Sequence, residues 1–158
     1  MMVKYNQEAT QIISVDKIEI YCFKSNDNNE NIDQKTVDSF GEEWTKFGDF
    51  SKQEIEKIGD EYFDIVDTNF LNKSSIVLDL GCGSGRWTKY LSNKVKFIEA
   101  VDPSDAVLSA SQFLSENKNV RVSKASVDNI PFKDNSFDFA FSLGVLHHIP
   151  NTEKALNK

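Results

Sequence analysis

Residues 77–86, Val-Leu-Asp-Leu-Gly-Cys-Gly-Ser-Gly-Arg, constrain this chain more than any other stretch. An apolar run from Ile76 to Leu80 leads directly into glycines at 81, 83 and 85, and then into residues Arg86 to Ser92 that suit a helix. A short, nearly continuous apolar segment is what a parallel strand covered on both faces requires. Glycines allow positive φ and let a ligand lie against the backbone, while the free N–H groups that open the next helix favour electron-rich ligand atoms. The segment therefore predicts a strand, a tight turn and a helix, with a small ligand at the carboxyl end of the strand. Two phosphate-binding patterns are excluded. The dinucleotide pattern G-x-G-x-x-G needs a glycine where Arg86 stands, and a Walker loop needs a Gly-Lys-Ser/Thr that does not follow.

The residues after this turn repeat the alternation. Lys96 to Val101 reads as a second strand, Ser104 to Asn117 as a helix opened by Ser104, Val120 to Val122 as a third strand, and Phe137 to Ser142 as a fourth. Thr152 begins another helix. Strands alternating with helices at this spacing predict right-handed β-α-β units, hence an α/β, doubly wound parallel sheet with helices on both sides. Asp102, at the end of the second strand, lies 17 residues past Gly85, where its two oxygens can accept the hydroxyls of a ribose.

Upstream, the chain divides differently. Residues 1–34 form an N-terminal appendage: Gln11 to Phe23 alternates loosely, as a hairpin or two extended pieces would, and Ser25 to Gln34 is a polar, Asn-rich loop. Residues 35–73 form a helical extension. Val37, Phe40, Trp44 and Phe47 lie at helical spacing, and Ser51 with Glu54 makes a capping box ahead of a helix expected to reach about residue 70. Residues 74–158 then hold the α/β unit.

Charge and cysteine usage narrow the function classes. Residues 1–73 carry 16 acidic residues against 8 lysines, whereas residues 74–158 carry 9 against 10 lysines and arginines. An acidic chain without a basic cluster is a poor partner for nucleic acid, whose binding depends on phosphate neutralisation. Cys22 and Cys82 read as free thiols, which fits a reducing, cytoplasmic compartment, and no apolar run approaches the length of a membrane span.

Three segments in order, Asp-Leu-Gly-Cys-Gly-Ser-Gly at 79–85, Val-Asp-Pro-Ser at 101–104, and the stretch from Ser126 to Asn151, resemble the class I S-adenosylmethionine-dependent methyltransferases, within the type 11 group similar to ubiquinone/menaquinone-biosynthesis methyltransferases. The resemblance covers residues 74–158 and implies a Rossmann-like domain that binds S-adenosyl-L-methionine and methylates O, N or C of a small molecule. It further implies that Asp79, Gly81, Cys82, Gly83 and Gly85 hold the methionine moiety, that Asp102 binds the ribose and that Pro103 touches the adenine. Ser126 stands where the family has an adenine-binding Asp, which shifts part of that recognition to the backbone of Val127. Ser142 and Leu143 line the methyl-donor end. His147 and His148 are the candidates for a general base, and no metal is implied. The family's domain has seven strands, of which four are visible here, so the chain reads as the front part of a longer protein.

Several features admit a second role. A non-catalytic S-adenosylmethionine-binding module is the competing class, and a nicotinamide-dependent oxidoreductase is disfavoured by Arg86. The Phe40, Trp44 and Phe47 stripe could cover the site or form core. Trp87 could wall the pocket or pack, and Arg86 could meet the donor's carboxylate or lie on the surface.

Overall fold

The computed structural model of the chain describes residues 2–15, 18–24, 39 and 51–156. Six strands, β1 Gln11–Val15, β2 Ile18–Cys22, β3 Ile76–Leu80, β4 Phe97–Asp102, β5 Val120–Lys124 and β6 Phe139–Phe141, form one sheet in the order β1-β2-β5-β4-β3-β6. Among the described residues the α-helices with assigned bounds are α1 Lys52–Phe63, α2 Arg86–Ser92, α3 Ala106–Phe113 and α4 Thr152–Leu156. β3 pairs in parallel with β4 and β6, and β5 pairs in parallel with β4 and β2. Only β1, antiparallel to β2, breaks the pattern. The Gln11 to Phe23 segment is thus a hairpin, and it extends the same sheet beyond β5. Among the described residues no helix is long and apolar enough to cross a membrane.

The strand order explains which face each connection covers. The chain steps from β3 to β4 to β5 in one direction, so right-handed crossovers place α2 and α3 on the same face. There Val77 and Ile98 pack with Trp87, Tyr90 and Leu91 of α2 and with Ile55 and Phe63 of α1. Ala100 and Val122 pack with Val107 and Ala110 of α3. The chain then returns to the far side of β3 to make β6, so its connection crosses the opposite face. On that face Leu78 and Val101 are covered by Ile130, Phe132 and Phe137, and by Val3 and Tyr5 from the start of the chain. Among the described residues α1, α2 and α3 therefore share one face, and irregular segments cover the other, where the alternation predicts helices on both.

Helix boundaries follow local chemistry. Ser51 and Glu54 form the expected capping box, with Glu54 N–H donating to Ser51 Oγ at 3.2 Å and Ser51 N–H to Glu54 Oε2 at 3.0 Å. The helix ends at Phe63, short of residue 70, because the following Asp and Asn side chains take over backbone groups. Asp67 Oδ1 accepts from Asn69 N–H at 2.8 Å, and Asn72 Nδ2 donates to the Thr68 carbonyl at 2.8 Å. The helix expected from Thr36, with Phe40, Trp44 and Phe47, lies outside the described residues, as does the Ser25 to Gln34 loop.

A buried polar network ties the first residues to the sheet. Glu99 on β4 is fully buried, and Arg121 of β5 pairs with its Oε2 at 2.8 Å. Ser123 Oγ donates to Glu99 Oε1 at 2.6 Å and lies 2.7 Å from the Tyr5 hydroxyl. The Arg121 guanidinium stacks 4.0 Å from the Tyr5 ring centroid and donates to the Val3 carbonyl. Burial pushes the Glu99 carboxyl up to about 7, against the pull of Arg121 and Ser123. Removing one member of a buried pair strands the other charge, which costs about 3–5 kcal/mol. Arg121→Met is therefore expected to lower unfolding free energy in urea at pH 8 by that order, and Tyr5→Phe by about 1 kcal/mol; equal, negligible losses for both would contradict a network that fastens residues 2–9.

Candidate functional site

The glycine turn sits at the carboxyl edge of the sheet at the topological switch point, where the chain runs from β3 to β4 on one side and returns to β6 on the other, the place at which open α/β sheets bind ligands. Gly81, Gly83 and Gly85 have φ of 83°, 53° and 83°, so each uses the left-handed region that favours glycine. A Cβ at Gly81 would lie 2.3 Å from Val145 Cγ2, and one at Gly85 would lie 2.7 Å from Leu114 Cδ1. The first of these close approaches brings the loop after β6 onto the turn after β3. Two bonds stitch the turn to the neighbouring strand: Gly81 and Cys82 N–H both donate to the Val101 carbonyl, at 2.7 and 3.0 Å.

Asp102, next along β4, completes the stitch. Its Oδ2 accepts from Gly83 N–H at 2.9 Å, and its Oδ1 accepts from Ser104 N–H at 2.9 Å and from the Ser104 hydroxyl at 2.6 Å. A carboxylate offers about four acceptor positions. Asp102 therefore keeps free capacity on Oδ2 while its orientation is fixed. Burial raises its pKa, opposed by Ser104 and Gly83. Ser104 also accepts from Ala106 N–H at 3.2 Å, so the residue expected to open the helix both supports α3 and aims Asp102.

Asp79, at the end of β3, is almost wholly buried, and Thr88 of α2 donates its hydroxyl to Asp79 Oδ2 at 2.6 Å. Gly85 has no side chain to cap α2, and Asp79 meets the helix's first turn from the strand instead. Burial pushes the Asp79 carboxyl up to about 7; Thr88 opposes the shift and the nearby charge of Asp102 adds to it. The Cys82 thiol is buried within the turn, and burial together with Asp102 and Asp79 raises its pKa well above the ordinary thiol value, so it is an inert packing group.

The other expected residues reach the same edge. Ala125 N–H donates to the Asp102 carbonyl at 3.2 Å, which sets Ser126 and Val127, both buried, beside the end of β4. Ser126 Oγ accepts from Asp128 N–H at 3.0 Å and caps the short 3-10 turn Val127–Asn129, leaving its hydroxyl proton to donate. Pro103 follows Asp102 and is half-buried. Ser142 and Leu143 follow β6, and the buried Ser142 Oγ has no hydrogen-bond partner among the described residues. His147 and His148 occupy the 3-10 turn Leu146–His148, exposed, with ring centroids 3.7 Å apart.

Arg86 and Trp87 resolve differently. Trp87 is buried against Tyr62 and Phe63 of α1, so it packs. The Arg86 guanidinium lies 4.3 Å from the Trp87 ring centroid. A separate hollow of about 440 Å³ between α1 and the end of α2, bordered by Lys52, Asp60, Tyr90 and Lys94, contains none of the expected site residues. Thr88 and Ser104 are the site residues that sequence reasoning missed. Ser104 is signalled by its place two residues after a strand-ending Asp. Thr88 has no local signal, since only the strand-turn-helix geometry brings it back to a residue nine positions earlier.

Residues 78–158, just over half of the chain, match the family described as "Methyltransferase domain". The chain belongs to this family. An uncharacterized methyltransferase of Mycobacterium tuberculosis is 33% identical over 82 residues, which are 52% of this chain and 42% of that protein. The mitochondrial arginine-hydroxylase NDUFAF5 of Homo sapiens is 35% identical over 117 residues, 72% of this chain and 31% of its own. A solved S-adenosylmethionine-dependent methyltransferase from Aquifex aeolicus superposes with a TM-score of 0.53 at 30% identity, covering 69% of this chain and 65% of that one. The chain spans 42% of the length of the first curated relatives it matches. The cofactor that accompanies this family and its solved relative is S-adenosylmethionine.

The residues present at the methyltransferase-domain site suit such a cofactor. They comprise a turn of three glycines in the left-handed region, two buried carboxylates beside it and a buried hydroxyl at the end of β6 without a hydrogen-bond partner among the described residues. The acids also set a pH dependence. Asp79 holds its proton more tightly when folded than unfolded, so the stability it contributes is fully present below the ordinary carboxyl pKa of about 3.9 and is lost as pH rises through about 7. Glu99 acts in the same direction. The ligand-free protein is expected to lose thermal stability between pH 5 and pH 8, and Asp79→Asn is expected to flatten that decline; a variant with the same decline would contradict the assignment.

Proposed function

We propose that the chain carries the donor-binding site of an S-adenosylmethionine-dependent methyltransferase whose acceptor is a small molecule, methylated on O, N or C. The observation that carries the reading is the pairing of the glycine turn with Asp102, in which one carboxylate oxygen takes Gly83 N–H and keeps a second acceptor position unused by the bonds described. In this reading Asp79, Gly81, Cys82, Gly83 and Gly85 surround the methionine end, and Asp102 takes a ribose hydroxyl. Pro103, Ser126 and Val127 border the adenine, and Ser142 and Leu143 border the methyl-donor end.

When bound, the cofactor supplies a methyl carbon made electrophilic by a positively charged sulfur. The protein's work is then to hold and orient, and fixed geometry alone lowers such a barrier by several kcal/mol. Asp79 and Asp102 place negative charge beside a cationic donor, and the glycines of the turn add no side chains of their own. A proton must leave only from acceptors protonated at the reacting atom. The exposed His147 and His148 are the groups that would receive it.

The acidic first half of the chain, without a basic cluster, supports a small acceptor over a nucleic acid. The human relative named as a hydroxylase means that family membership alone does not fix the reaction, so the test must read the methyl group itself. Incubating the protein with methyl-labelled S-adenosylmethionine and a metabolite extract is expected to yield S-adenosylhomocysteine and a labelled product. Asp102→Ala is expected to weaken donor binding about 10- to 100-fold, as befits hydrogen bonds to a charged group. Saturable donor binding with no S-adenosylhomocysteine across acceptor pools would instead identify a non-catalytic binding module.

A further inference from the structure

Asp79 is a buried acid that a donor-binding site must account for. Among the described residues, the titratable or charged groups that face it are Asp102 on β4, a like charge, and the Cys82 thiol in the turn; α2 answers with the Thr88 hydroxyl and main-chain N–H, and β6 answers with the apolar Phe141. No lysine or arginine among these groups neutralises it. Asp102, by contrast, has Lys124 nearby to favour its charge. A carboxyl group this well buried beside another holds a proton near neutral pH unless a cation arrives.

Resting on the S-adenosylmethionine reading of the site, we propose that Thr88 is a positioning residue for the donor. Its hydroxyl holds Asp79 Oδ2 and favours the carboxylate form, so that a cationic donor binds with release of the Asp79 proton to solvent. Thr88 is itself fully buried, with its hydroxyl committed to Asp79 at 2.6 Å, so its role is exerted through Asp79. Proton bookkeeping is closed: one proton leaves Asp79 for water as one cationic donor enters, and no bond of the donor changes. Because Asp79 titrates near 7, donor affinity falls as pH drops below neutrality.

Calorimetric titration of S-adenosylmethionine into the full chain between pH 5.5 and 7.3 tests this, since the range lies below that of the donor's own α-amino group. Affinity is expected to rise up to about tenfold per pH unit in the lower part of the range and to level off towards its top. Thr88→Val is expected to move that bend upward and to cost about tenfold in affinity at pH 7, the value of a hydrogen bond to a charged group. Thr88→Ser is expected to restore the wild-type bend, and Asp79→Asn to bind weakly with no bend. A wild-type measurement at pH 6.5 in buffers of different ionisation enthalpy needs no variant and is expected to show net proton release per donor bound. Zero proton release, or a Thr88→Val bend unchanged from wild type, overturns the role of Thr88 while leaving the donor site standing. Absence of saturable binding at every pH overturns the donor-site reading itself.

Discussion

The bond from Gly83 N–H to the Asp102 carboxylate is the contact on which the site depends. It joins the turn after β3 to the end of β4, next to the two main-chain bonds that Gly81 and Cys82 make to Val101. Those bonds form only if the turn adopts positive φ three times within five residues, which glycine does without steric cost. They also require that β3 and β4 be adjacent and parallel, which the right-handed crossover through α2 provides. Sheet topology, turn chemistry and side-chain placement therefore meet at one point. A change in any of them would move the carboxylate away from the turn.

Much of this was legible in the sequence because the signals were local. The apolar run from Ile76 to Leu80, the glycines after it and the acid at the end of the next apolar run each announce themselves within a few residues. The Ser51 and Glu54 capping box did so for α1. What escaped was long-range. Residues 11–22 read as a hairpin or two extended pieces of an N-terminal appendage, and nothing local signals that β2 pairs with β5, a contact between residues about a hundred positions apart. Thr88 and the Glu99, Arg121 and Tyr5 network were invisible for the same reason. Helix ends were missed where Asp67 and Asn72 captured backbone groups, a competition that apolar periodicity does not register.

The buried acids divide into two kinds, and the division follows the faces of the sheet. Glu99, on the face covered by the first residues, has an arginine partner and serves to fasten the chain's start. Asp79 and Asp102, on the helix face at the carboxyl edge, interact as like charges; Lys124 eases Asp102, and among the described residues no lysine or arginine eases Asp79. Structural acids in a core carry their own counter-charge, because an unpaired one is strongly destabilising. An unanswered acid beside a glycine turn is what a site for a cationic ligand requires. The same physics links the loss of stability expected of the ligand-free protein toward alkaline pH to the proposed binding of a positively charged donor.

The most direct test of the account is a titration of the purified chain with S-adenosylmethionine and, separately, with NAD, read by calorimetry. Saturable, one-to-one binding of S-adenosylmethionine and none of NAD is expected, since Arg86 stands where the dinucleotide turn needs glycine. Saturable binding of NAD without binding of S-adenosylmethionine would contradict it.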